Sequence, residues 1–161
     1  MPDAVPFNPL LTFKFRIAFT DGSGDPVVGI SKCSGLKRKV EAVAWRTAGH
    51  AKNSASQIPG GTSFEPITFE QGLGLDDGAF EDWAMSVSNW KEGDGAHDPA
   101  AFRRDIRLDV MNLKGDTELT YVINGAWVSE YAPIPELDGN TMNTIGIASF
   151  AVQGEGWYKQ E

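Results

Sequence analysis

Ile58-Pro59-Gly60-Gly61-Thr62-Ser63-Phe64-Glu65-Pro66-Ile67-Thr68-Phe69-Glu70-Gln71-Gly72 stands between a long polar segment, residues 46–57, and the strongest helical pattern in the chain. Pro59 fixes φ and Gly60 admits positive φ, so Pro59-Gly60 reads as a tight turn. Ile67 and Phe69 then share one face of a strand, with Thr68 and Glu70 on the other, and the strand stops at Gly72. Upstream, residues 47–57 are small and polar and have nothing to bury. A loop of that length inside a compact domain is either functional or disordered. The expected shape is an arm that projects from the body and returns to it at this stretch.

On the N-terminal side, residues 11–19 alternate strictly. Leu11, Phe13, Phe15, Ile17 and Phe19 take one face and Thr12, Lys14, Arg16 and Ala18 the other, a clear strand. A turn over residues 21–26 leads to a second strand, residues 27–33, expected to pair antiparallel with the first. Ser34-Gly35 marks a kink, and residues 36–45 continue extended. On the C-terminal side, Asp76 or Asp77 is an N-cap for a helix whose buried stripe is Phe80, Trp83, Ala84, Val87 and Trp90. Residues 103–111 and 118–128 alternate around a turn at 112–116 and form a hairpin. Residues 142–153 make a last strand, apolar on both faces and therefore either central or buried by another subunit. A polar tail anchored by Trp157 and Tyr158 ends the chain. Six or seven strands with one helix and no βαβ alternation predict a mainly β, antiparallel sandwich or barrel, with one flanking helix and an extended arm, as a single domain over residues 1–161.

Composition narrows the function. The 161 residues are 41% hydrophobic and 22% charged, which is globular. A net charge of −8 disfavours a sequence-independent grip on nucleic acid or anionic lipid. The single cysteine, Cys33, cannot form an internal disulfide. No apolar run approaches the roughly 20 residues of a membrane span, and the N-terminus shows no signal peptide. Synthesis in the cytoplasm without a cleaved signal is expected.

Catalytic patterns are missing. Cys33 lies on a predicted strand among apolar residues, where a plain half-buried thiol is the simpler reading. His50 and His97 sit in polar loops with no ligand-type neighbours at metal spacing, His97-Asp98 aside. Residues 21–25 resemble a calcium loop but lack the later ligands. Gly60-Gly61 and Gly72-Leu73-Gly74-Leu75 are followed by no Gly-Lys-Ser/Thr. Asp76, Asp77, Glu81 and Asp82 fit helix capping better than a carboxylate pair. Arg103-Arg104 and Lys37-Arg38-Lys39 read as partners for acidic patches on another copy. No enzyme, metal or cofactor is expected. Open sheet edges and a long arm point to a protein that continues its sheet into neighbours.

The order of elements resembles the tail tube protein family of contractile-tailed phages and contractile injection systems. The matching pieces run over nearly the whole chain. They begin with Asn8-Pro9 and Phe13-Lys14-Phe15-Arg16-Ile17, then the run from Gly29 through Leu36 that leads to Trp45-Arg46. Ile58-Pro59-Gly60 ends the arm, and Ile67-Thr68-Phe69-Glu70-Gln71-Gly72 follows. Trp83 in the helix, Asn124-Gly125-Ala126-Trp127 and Ile145-Gly146-Ile147-Ala148-Ser149-Phe150 complete the set. One departure is Glu70-Gln71, where the family commonly carries a basic residue. The resemblance implies hexameric rings stacked into a tube whose lumen is a β-barrel shared among subunits. It also implies partners in sheath and baseplate proteins, DNA or protein cargo in the lumen, and a place in a virion tail or injection particle. The candidate subunit-interface residues are then Trp45, Arg46, His50, Lys52, Asn53, Ile58, Pro59 and Gly60. An acidic lumen would let DNA slide without sticking. A single-ring baseplate or initiator protein and a type VI secretion ring protein fit the same class. A monomeric β-sandwich binding a glycan or small ligand through its tryptophans is the alternative from another class.

Overall fold

The alternation of residues 15–19 and 104–111 is that of strands with one buried face, and the computed structural model, which describes residues 9–20, 27, 29–75, 78–89, 93–96 and 99–161, pairs them. Strand β1 is Phe15–Phe19 and β8 is Arg104–Met111; Ile17 stands opposite Leu108 and Phe19 opposite Ile106. The others are β2 Ile30–Cys33, β3 Arg38–Trp45, β4 Ser56–Phe64, β5 Ile67–Gly72, β6 Ser88–Asn89, β7 Gly93–Ala96, β9 Thr117–Ala132, β10 Ile147–Gln153 and β11 Gly156–Gln160. Helix α1 is Ala79–Met85, and α2 is one turn, Pro99–Phe102. The body is a single antiparallel path in the order β1-β8-β9-β10-β5-β2, with β11 on the other side of β9. Among the described residues, β3 pairs only with β4, and β6 only with β7.

β9 organises this path. Its first half pairs with β8 and β11, and its second half with β10. The transfer happens at Gly125, where φ is +60°, a value that glycine alone adopts without strain. Between the pairs Ile106–Ile123 and Arg104–Ala126, two residues of β9 oppose one of β8, a bulge that bends the strand. Asp105 Oδ1 accepts the Gly125 N–H at 2.9 Å, and Arg103 pairs with Glu155 at 2.6 Å across the same bend. The two halves of the path therefore face each other over one core. Phe19 from the first half and Phe150 from the second both meet Phe80 of α1, with ring centroids 5.4 and 4.3 Å away. Ile17, Phe69, Ile106, Ile123 and Val152 complete its centre. Each large side chain buried there contributes at most about 1.5–3 kcal/mol.

The strand at 67–72, the 104–132 hairpin and the interior place of β10 agree with the sequence reading. The hairpin turn closes on Asn112, whose Oδ1 accepts the N–H groups of Lys114 and Asp116. Several expectations are corrected. β2 pairs with β5, not with β1, although Val27 N–H donates to Ile17 O at 2.7 Å. Pro59-Gly60 is no turn: both lie inside β4, opposite β3. Proline is tolerated there because β3–β4 is a two-stranded ribbon and its register shifts between Val40 and Ala42, opposite Pro59. The helix ends at Met85, since Ser86, Ser88 and Asn89 are poor helix formers and the last two form β6. Val87 is therefore outside it. Gly78 is the N-cap and makes no side-chain cap bond. The apolar run at 142–146 precedes β10 and is not part of it, and the supposed tail is strand β11. The expected Asp76/Asp77 cap, Trp90, His97, Asn8 and the turn at 21–26 lie outside the described residues.

Candidate functional site

The arm is the ribbon β3–β4 with the connecting residues 46–55. Every residue from 38 to 63 is exposed except His50 and Ala55, which are half-buried. Its sequence explains this. Arg38, Lys39, Glu41 and the small polar residues of β4 offer little to a core. Yet Val40, Val43, Trp45 and Ile58 are apolar and open to water, Trp45 at 56%. Val43 and Ile58 are cross-strand partners, and Trp45 lies two residues along the same strand from Val43. Gly60 has a packing role here: a Cβ on it would stand 2.8 Å from Val43 Cγ2. At the tip, Arg46 Nη1 donates to Asn53 O at 3.2 Å, and Lys52 N–H donates to His50 Nδ1 at 3.3 Å. The structure thus gathers all eight sequence-predicted residues on one arm. Five of them (Trp45, Arg46, His50, Lys52 and Asn53) are at or beside its tip, and Ile58, Pro59 and Gly60 are on its flank.

The arm is anchored at its base. Phe64 meets Trp157 edge-on at 5.9 Å, Lys37 pairs with Glu65 at 3.3 Å, and Glu65 N–H donates to Lys37 O. Of the small basic clusters, Lys37 and Arg103 are engaged within the chain, and the Arg104 guanidinium lies 3.7 Å over the Phe19 ring. They are not spare charges for another copy, whereas Arg38 and Lys39 are exposed on the arm. Glu70, the departure noted in the sequence, pairs with Lys32 at 3.6 Å. Cys33 is half-buried, and burial pushes its thiol up to about 11, so it is a poor nucleophile.

The second surface is the face of β1, β8, β9 and β11 turned away from the core. Alternation places Arg16, Asp109, Thr120 and Gln160 in one row across these strands. Asp109 is 2% exposed. Arg16 Nε lies 2.8 Å from its Oδ2, Arg107 Nε 3.2 Å from the same oxygen, and the Thr120 hydroxyl donates to Oδ1 at 2.8 Å. Burial alone would raise this carboxyl. The hydrogen bonds from Arg16 and Thr120 and the charges of both arginines outweigh burial and hold it below its ordinary value. A shallow cavity of about 400 Å³ on this face sets two arginines, Arg16 and Arg107, against Asp109, Glu118 and Glu161. Among the described residues no His, Cys, Asp and Glu group is arranged to hold a metal, and no helix is long and apolar enough to cross a membrane.

Two features are not legible in the sequence. The burial of Asp109 is hinted at only by the arginines at positions 16 and 107, and the exposed apolar residues Ile134, Leu137 and Ile145 follow no period.

The family model for the T4-like virus tail tube protein gp19 matches residues 11–158. No curated protein matches the chain significantly. Solved structures match over nearly the whole length. A chain in the six-fold symmetrised baseplate of the anti-feeding prophage (AFP) is 13% identical, with 95% of this chain and 96% of that chain covered and a TM-score of 0.73. A chain in the PVC sheath–tube complex of an extracellular contractile injection system, in the extended state, is 17% identical, with 96% and 93% covered and a TM-score of 0.75. A crystal structure of an Hcp protein is 9% identical, with 91% and 90% covered and a TM-score of 0.51. At these identities the structures establish a shared fold.

Proposed function

The chain belongs to the T4-like virus tail tube protein family, and from that membership we propose how the subunit is used: its copies close into hexameric rings, and the rings stack through the arm. It is a structural, non-enzymatic tail tube subunit of a phage tail or contractile injection system. The ring number follows the six-fold symmetry of the AFP baseplate that holds a chain of the same fold.

The observation that carries the proposal is the exposed arm. A lone two-stranded ribbon is marginal in water, and this one holds Val43, Trp45 and Ile58 in the open. A neighbour that covers them stabilises both. Trp45, Arg46, His50, Lys52, Asn53, Ile58, Pro59 and Gly60 are then subunit contacts. The four strands β1, β8, β9 and β11 form the lumen wall, with the Arg16–Asp109–Thr120–Gln160 row toward the channel. β11 has no described strand beyond it, so its edge is available to continue the sheet into the next subunit and build a shared barrel. Sheath and baseplate proteins contact the outer surface, as the sheath–tube complex of the PVC relative suggests. The lining of this face sets two arginines against three carboxylates, a mild acidic excess. DNA and protein cargo both remain compatible with it.

Negative-stain electron microscopy of the purified protein, beside its size-exclusion profile, tests this reading. Rings or stacked tubes with a central hole are expected. A monomer that persists at high concentration overturns it and returns attention to a monomeric ligand-binding module.

A further inference from the structure

One group of exposed apolar side chains outside the arm lies at the far end of the same sheet. The segment 133–146 joins β9 to β10, and Ile134, Leu137, Met142 and Ile145 on it are between 64% and 91% exposed. Leu73 and Leu75, just after β5, are also exposed. Leu73 N–H donates to Gly146 O at 2.9 Å, and its side chain leans over Gly146, where a Cβ would stand 2.9 Å away. Leu73 and the segment's end thus form one surface.

Charge separates this surface from the arm. Residues 133–146 hold Glu136 and Asp138 and not one Lys or Arg. Residues 38–64 hold Arg38, Lys39, Arg46 and Lys52 against Glu41 alone, in a chain whose net charge is −8. Position separates them too. The arm joins the sheet beside Ile67, which pairs with Val152; the segment joins it beside Gly72, which pairs with Ile147. They stand at opposite ends of β5, about 17 Å apart at roughly 3.3 Å per residue. A basic apolar surface at one end and an acidic apolar surface at the other are complementary between copies. Because the two surfaces differ, each contact leaves one of each free, and the contact repeats without limit.

We propose that the acidic apolar segment 133–146, with Leu73 and Leu75, is the seat for the arm of a second copy in the adjoining ring. Val43, Trp45 and Ile58 cover Ile134, Leu137 and Ile145, while Lys52 meets Glu136. The inference rests on the tube reading above and adds the arm's receptor to it.

Charge reversal tests it. Asp138 is left intact, because its carboxylate accepts from Asn140 N–H and the Thr141 hydroxyl and shapes the turn. The variant Glu136→Lys is expected to keep rings and its melting temperature but to lose stacked tubes. Lys52→Glu is expected to do the same, and the combined Lys52→Glu/Glu136→Lys variant to recover tubes. Tubes of ordinary length from either single variant overturn the proposal, and so does a failure of the combined variant to recover. Cysteines at Lys52→Cys and Leu137→Cys give a second readout. A ladder of covalent oligomers on a non-reducing gel supports the contact, and uncrosslinked chains within intact tubes overturn it. A wild-type chain that never leaves the monomer overturns the tube reading itself and this inference with it. Wild-type tubes alongside unaffected variants remove only the receptor.

Discussion

The body and the arm are both antiparallel β-structure, yet they are ordered by different things. In the body, β1, β8, β9, β10 and β5 each turn one face to a core of Ile17, Phe69, Phe80, Ile106, Phe150 and their neighbours. In the arm, β3 and β4 make a ladder as long as any in the body, but apart from Phe64 at its base every residue of the two strands is exposed. The body's order comes from its own burial, and the arm's side chains are open to solvent. On the proposed reading stability and assembly are carried by separate residues, and substitutions can tell them apart.

The largest effect on stability belongs to the aromatic centre. Phe150→Ala removes a ring that stacks on Phe69 and meets Phe80, and is expected to cost about 3–5 kcal/mol in a denaturant melt. Trp45→Ala removes a larger side chain from the arm and is expected to move the same melt by no more than about 0.5 kcal/mol while tubes are lost. Equal costs at the two sites would erase the distinction.

Next comes Asp109, the buried charge on the opposite face. Asp109→Asn leaves Arg16 and Arg107 without their shared carboxylate and is expected to cost about 1–3 kcal/mol, moderated because both arginines reach water. The folded carboxyl titrates below its unfolded value. Its contribution is thus fully present above about pH 4 and is lost as pH falls through the lower folded value. The Asn variant should flatten that acid limb of the stability curve; a limb as steep as in the wild type would assign it to other groups.

The smallest effect on folding is expected from the largest change. Deleting residues 49–56 should leave the melt within about 0.5 kcal/mol and abolish stacking. Tubes of normal length from this deletion would remove the arm from the assembly.

The same division explains what was legible in the sequence. Ile17 and Phe19, Ile106 and Leu108, and Ile67 and Phe69 alternate because one face of each strand is buried, so the pattern is written by the core. No core writes on the arm, and its strands lack that pattern. Pro59-Gly60 then reads as a turn, although in an exposed ribbon with a register shift neither residue has to stop a strand. The helix was overdrawn because Val87 falls at the helical period by coincidence. Partner choice was also hidden: β2 reads equally well beside β1 or β5, and only the three-dimensional course through the Ser34–Thr68 contacts decides it. The arm as a projecting element was legible from its polarity. The exposed apolar segment 133–146 was not, because loop residues such as Ile134 and Leu137 carry no period to flag them.

The passage of β9 through both halves of the sheet has a mechanical consequence. A tube subunit that passes load between its neighbours must keep its shape. Here the strand that pairs with β8 and β11 is the same covalent chain that pairs with β10. Load applied to one layer reaches the other along the backbone of β9 through Gly125, not across side-chain contacts that can slip. Pulling along β9 also strains its ladder hydrogen bonds together instead of one after another. The two layers of the subunit should consequently move as one rigid piece under load.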